Sequence, residues 1–222
     1  MPYQHDIFIS YKWDVDTKEW VDFVFLPILS NVLDQLRDQF KASDIFHDES
    51  RTVEGATVPD VLRDGVANSR CMVCVFSKTY FTRSSWCLAE LSAMLKREEE
   101  TGVRNNNKHV GLVFPVLFID ETETELEDKN LVYTVPPARE LLNKILPLQL
   151  NQEEFFCIAA GFKGTTSYDA LRFKIFKWVK SSIYPQLIAP PEWKEKWRSE
   201  EYFVSRFNLP EQPVQSYPVP GI

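Results

Sequence analysis

Asp6-Ile-Phe-Ile-Ser10, with the stretch Thr17 to Phe40 behind it, decides how this chain reads. The first run is short, apolar and β-rich. In the second, Ile28, Leu29, Val32, Leu33, Leu36 and Phe40 recur at steps of three to four residues, the period of a helix. The same switch of period repeats along the chain. Ile45 to His47 predicts a second strand, Cys71 to Ser77 a third, His109 to Ile119 a fourth and Phe155 to Ala160 a weaker fifth. Helical patterns lie between them. One starts at Thr57, a capping residue, with Val58, Val61, Leu62 and Val66 on its buried side; another runs from Trp86 to Glu99, and the last from Tyr168 to Tyr184. Pro27 is expected to kink the first helix or to mark the start of its regular part. Pro185 is expected to stop the last, because proline lacks an N–H and crowds the preceding turn.

Alternation of this kind predicts an α/β protein: a flavodoxin-like three-layer sandwich with a central parallel sheet of about five strands, in the order 2-1-3-4-5. Its 222 residues, 44% of them apolar, suffice for one sizeable core. A formal charge of -7 builds in no attraction to nucleic acid or to anionic membrane surfaces. The longest apolar stretch, Val110 to Ile119, has about half the ~20 residues a spanning helix needs. The amino terminus lacks the basic start and apolar run of a secretory signal, and with four cysteines a cytoplasmic protein with free thiols is expected.

Cys71 and Cys74 have the spacing of a redox or zinc pair. They stand in a strand, whose alternation sends them to opposite faces, so core packing is the expectation and no metal site is read. Asp120 to Asp128 reads as a solvated acidic loop. Residues 1–189 are taken as the domain and 190–222 as an extension. In the extension Trp193 and Trp197 stand one helical turn apart, as a packing strap or as a docking segment.

In open α/β sheets ligands bind beyond the carboxyl ends of the strands, where the winding reverses, here between strands one and three. After strand one come Ser10, Tyr11, Lys12 and Trp13; after strand three come Ser77, Tyr80, Phe81, Ser84, Ser85 and Trp86. These groups can stack on planar rings and bond sugar hydroxyls or phosphates. On the helix that follows, ~100° per residue places Leu88, Leu91, Met94 and Leu95 on one side. Trp86, Glu90, Ala93 and Arg97 fall on the other. Periodicity alone leaves Glu90 as a solvated glutamate paired with Arg97.

At these residues the sequence resembles the TIR domain family, found in plant immune receptors, Toll-type adaptors and bacterial defence proteins. Asp6-Ile-Phe-Ile-Ser-Tyr-Lys12 is similar to its opening box. Phe46-His-Asp-Glu49, followed by Gly55, Val58, Leu62, Val66 and Ser69, is similar to its second strand, loop and helix. Ser77-Lys-Thr-Tyr80 and Ser84-Ser-Trp-Cys-Leu-Ala-Glu-Leu91 look like the plant-type motif around the catalytic glutamate. Lys12 and Trp13 depart from the arginine and glycine of many plant members.

The resemblance implies an NAD⁺ glycohydrolase or ADP-ribosyl cyclase in which Glu90 is catalytic. Ser10, Tyr11, Lys12, Trp13, Asp48, Ser84 and Trp86 would bind substrate. NAD⁺ enters as substrate, with no cofactor. Self-association through TIR contacts is implied, with a separate effector answering the product, as in stand-alone antiphage-defence TIR proteins such as that of Thoeris. Two other readings stay open: a non-catalytic adaptor acting through TIR contacts, and a nucleoside deoxyribosyltransferase-like enzyme.

Overall fold

The computed structural model describes residues 3–36, 45–47, 58–106, 111–118, 131–155 and 162–207. The chain opens with β1 (His5–Tyr11), α1 (Val15–Trp20), a π-helical turn (Val21–Phe25) and α2 (Leu26–Leu36). After β2 (Ile45–Phe46) come α3 (Val58–Asn68), β3 (Ser69–Phe76), α4 (Lys78–Arg83), α5 (Ser85–Thr101) and α6 (Val103–Asn106). Then follow β4 (Val113–Phe118), α7 (Pro136–Leu142), β5 (Leu148–Leu150), α8 (Gln152–Phe155) and α9 (Thr166–Trp178). A second π turn (Val179–Ile183) leads into α10 (Tyr184–Ile188).

All strand pairs are parallel and the order is β2-β1-β3-β4-β5, with helices on both faces, the expected flavodoxin-like arrangement. Strand alternation divides the core in two. Ile7, Ile9, Cys71, Val73 and Val75 pack with Trp20 of α1, Val24 of the first π turn, Ile28 of α2, and Leu171 and Ile175 of α9. Phe8, Met72, Cys74 and Phe76 pack on the other side with Leu62, Val66, Leu88 and Leu91 of α3 and α5. Cys71 and Cys74 thus occupy opposite faces, both fully buried as free thiols.

Three expectations are corrected. The fifth strand is Leu148–Leu150, ahead of the stretch Phe155 to Ala160. Phe155 closes the short helix α8, and 156–160 lie outside the described residues. The turn is set by a reciprocal cap: Asn151 N–H donates to Glu154 Oε2 at 2.8 Å and Glu154 N–H to Asn151 Oδ1 at 2.9 Å. Pro185 does not end the last helix, which continues to Ile188. The π turn before it widens the backbone by one residue, Tyr184 N–H reaching the Val179 carbonyl, and the proline ring fits where an α turn would clash. Pro27 is preceded by a similar π turn, with Leu26 N–H on the Val21 carbonyl. The third correction concerns the polar stripe of α5 and belongs with the site.

Residues 190–207 run back over α3 and α5. Tyr3 Oη donates to the Pro191 carbonyl (2.8 Å), Trp193 Nε1 to the Ala67 carbonyl (3.0 Å), and Arg206 N–H to Ser92 Oγ (3.0 Å). Trp197 is 1% exposed and lies over the Arg97 guanidinium at 4.1 Å. Among the described residues no helix is long and apolar enough to cross a membrane.

Candidate active site

Two serines shape the loop after β3. Ser77 caps α4, its hydroxyl accepting from Tyr80 N–H, and Ser84 caps α5, accepting from Cys87 N–H at 3.2 Å. These caps fix where α5 begins and bring its first two turns across the carboxyl ends of β1 and β3. Ser10 shares the parity of Phe8, so its side chain faces α5 rather than α1 and α2.

There it meets the carboxylate. Ser10 Oγ donates to Glu90 Oε2 at 2.6 Å, and the Tyr80 hydroxyl lies 2.8 Å from the same Ser10 oxygen. Tyr80 Oη also reaches the Cys87 carbonyl at 3.1 Å. Glu90 is 1% exposed. Burial above all, then the neighbouring Cys74, Cys87 and Glu90, pushes the Tyr80 phenol well above its ordinary range. Burial likewise raises the Cys74 thiol, with Glu90 a lesser contributor.

The stripe Glu90, Ala93, Arg97 is therefore buried, and Glu90 is not a solvated partner of Arg97. Each charge is met by its own end of the sheet. Glu90 is held by Ser10 at the tip of β1. Arg97 donates to the Ser69, Val66 and Ala67 carbonyls at 2.6, 2.8 and 3.2 Å, where α3 turns into β3. Burial lowers the Arg97 guanidinium to about 10, with Tyr3 and Tyr202 working the other way. A periodicity count scores glutamate and arginine as polar and assigns them to solvent, although hydrogen-bonded charges can line a core.

Ser10, Ser84 and Glu90 come together as buried groups, whereas the Tyr11 ring packs on the opposite face of the sheet and Tyr11 reaches the site through its carbonyl, which accepts from Cys87 Sγ at 3.4 Å. Lys12 is half-buried, while Trp13 and Trp86 are 59% and 44% exposed. Asp48 lies outside the described residues. Tyr80, read from sequence only as one of several loop aromatics, is central to the hydrogen bonding. Its signal was its place in Ser77-Lys-Thr-Tyr80, one turn into a serine-capped helix. Among the described residues no three His, Cys, Asp or Glu side chains converge as a metal site would need.

Residues 4–104 match the family model of the TIR domain. The TIR match runs from β1 into α6 and takes in Ser10, Tyr80, Ser84, Trp86 and Glu90. The chain is also similar to a solved structure described as the TIR domains of the activated Roq1 resistosome directly recognizing the pathogen effector XopQ. That likeness has 20% sequence identity and a TM-score of 0.41, covering 80% of this chain and 98% of the other.

Proposed function

We propose that this chain cleaves the bond between nicotinamide and ribose in NAD⁺, as a glycohydrolase or ADP-ribosyl cyclase, with Glu90 as its catalytic carboxylate. The observation that carries this reading is one juxtaposition: a buried carboxylate held by Ser10 at the mouth of β1 and β3, four residues after the exposed Trp86. One carboxylate is enough for the chemistry. Ordinary glycosidases need a second carboxyl group to protonate an alkoxide leaving group. Nicotinamide leaves a cationic pyridinium as a neutral amide, and no general acid is required. Glu90 faces the positive charge that develops on the ribose as the bond stretches, which is stabilisation aimed at the transition state. Water adding to the sugar cation and releasing a proton to solvent gives ADP-ribose, and attack by an adenine ring nitrogen gives a cyclic isomer.

Trp86 and Trp13 present faces on which flat rings can stack, and Lys12 supplies a cation for the pyrophosphate. Ser84 stands at the foot of α5 as a sugar or phosphate ligand, while Ser10 and the Tyr11 backbone line the floor. Asp48 begins the loop proposed to close over the ligand or to meet a second copy. With Glu90 1% exposed, substrate reaches it only after a rearrangement, and contact between copies is the proposed trigger. Activity per molecule should therefore rise with protein concentration. In this reading the enzyme acts in the cytoplasm, in immune or antiphage defence, and its product signals a separate effector.

The test is nicotinamide release from NAD⁺, followed by chromatography over a range of protein concentrations spanning self-association, with the products identified by mass spectrometry. Absence of nicotinamide at every concentration, from folded protein and with an activating partner present, would overturn the reading. The same burial of Glu90 favours one alternative, a non-catalytic adaptor in which the carboxylate only braces β1 against α5. That reading wins if Glu90→Ala leaves the biological output intact while substitutions at 48–55 abolish it.

A further inference from the structure

The Ser10 hydroxyl carries one hydrogen and has two neighbours, Glu90 Oε2 at 2.6 Å and Tyr80 Oη at 2.8 Å. Tyr80 also carries one hydrogen, with Ser10 Oγ at 2.8 Å and the Cys87 carbonyl at 3.1 Å as acceptors in reach and the Cys74 thiol as a further hydrogen-bonding neighbour. Two settings place one hydrogen in each short contact of Ser10. In the first, Tyr80 donates to Ser10 and Ser10 donates to an ionised Glu90. In the second, a protonated Glu90 donates to Ser10, Ser10 to Tyr80 and Tyr80 to Cys87. An ionised Glu90 can only accept, so a carboxylate facing a sugar cation requires the first setting.

We propose that Tyr80 is a positioning residue of this site, its phenol aiming the Ser10 hydroxyl at Glu90 and so fixing the carboxylate that faces the reacting ribose. The proposal rests on the reading of Glu90 as the catalytic carboxylate. Packing alone does not call for the hydroxyl. The Tyr80 ring packs against both Phe76 and Phe81, with centroids 5.1 and 5.2 Å away, and a phenylalanine would fill the same space. The hydroxyl is nonetheless kept fully buried, within bonding distance of the Ser10 hydroxyl that donates to Glu90. Burial keeps the phenol protonated, so it stays available as a donor. Without it, Ser10 loses the bond that orients its hydroxyl, and the low-dielectric surroundings strengthen the effect of each bond on the next.

The experiment has two arms. In the first, nicotinamide release is measured for Tyr80→Phe, Ser10→Ala and the double variant. Loss of one neutral hydrogen bond predicts that Tyr80→Phe lowers kcat roughly five- to tenfold. KM should stay within about twofold, since the bond acts on the transition state and not on uniform binding. On the Ser10→Ala background Tyr80→Phe should add nothing further. A Tyr80→Phe enzyme with wild-type kcat, or two effects that simply multiply, would overturn the proposal.

The second arm needs no turnover. Urea unfolding of the substrate-free protein gives the coupling between Tyr80→Phe and Glu90→Gln, first with Ser10 in place and then with Ser10→Ala. A coupling of about fivefold in the unfolding constant, abolished by Ser10→Ala, is expected. Coupling that is absent with Ser10, or that persists without it, overturns the relay. If Glu90→Ala releases nicotinamide as fast as wild type, the glycohydrolase reading fails, and this second arm still decides whether Tyr80 holds Ser10 on Glu90.

Discussion

Replacing Trp197 by alanine tests whether residues 190–207 are part of the folded unit or an appendage to it. The indole is 1% exposed, lies 4.1 Å from the Arg97 guanidinium and stands 6.5 Å from the Tyr3 ring. Removing a fully buried tryptophan costs about 3–5 kcal/mol through lost transfer energy and the cavity left behind. The cation–π contact with a desolvated guanidinium is worth about 2 kcal/mol. These contributions overlap, because water entering the cavity would re-solvate Arg97, and we take about 4 kcal/mol as the loss. Against a total stability of about 5–15 kcal/mol this is a large fraction. Urea unfolding followed by far-ultraviolet circular dichroism measures it without relying on tryptophan emission. Trp13→Ala is the control: Trp13 is 59% exposed, and its loss should cost under about 1 kcal/mol. A Trp197→Ala protein within about 1 kcal/mol of wild type would refute the reasoning, and the extension would then be no part of the cooperative unit.

Gly65→Ala should destabilise the protein by about 1–2 kcal/mol in the same assay. An added Cβ would stand 2.7 Å from the Phe46 ring, which is stacked on Phe8, and the overlap outweighs the roughly 1 kcal/mol that alanine gains over glycine in a helix. A more stable variant would show that the ring yields freely. Cys71 and Cys74 should resist alkylation at neutral pH, since burial, with help from Asp6 at Cys71 and from Glu90 at Cys74, holds both thiols above their usual range. Labelling in a Cys157→Ser background, read by mass spectrometry, should follow global unfolding. Rapid modification of folded protein would contradict the packing of β3.

How far the sequence carries can be judged residue by residue. β1, β3 and β4 are buried on both faces, so each carries a run of consecutive apolar residues, Ile7 to Ile9, Cys71 to Phe76 and Val113 to Phe118, that is legible at once. β5 is Leu-Gln-Leu, with Gln149 exposed, too short to stand out beside the longer apolar stretch at 155–160. The signal that corrects it, Asn151 and Glu154 at capping-box spacing, is present in the sequence and outweighs the aromatic run. The π turns before Pro27 and Pro185 carry no residue signature of their own, and a proline rule alone therefore ends the last helix too early. At the site, the alternation of β1 already places Ser10 on the face of Phe8. What periodicity cannot supply is that Glu90 and Arg97 turn inward. Their partners are a serine eighty residues away and backbone carbonyls about thirty residues away, which no local pattern contains.

The central claim is that the Glu90 carboxylate, and not merely a side chain of its shape, cleaves NAD⁺. Glu90→Gln keeps the size and an acceptor for the Ser10 hydroxyl but removes the charge, so nicotinamide release at a protein concentration where wild type is active isolates the electrostatic part. The account predicts a fall of about a hundredfold or more, with circular dichroism and melting behaviour close to wild type. A folded Glu90→Gln protein that releases nicotinamide at the wild-type rate would contradict it.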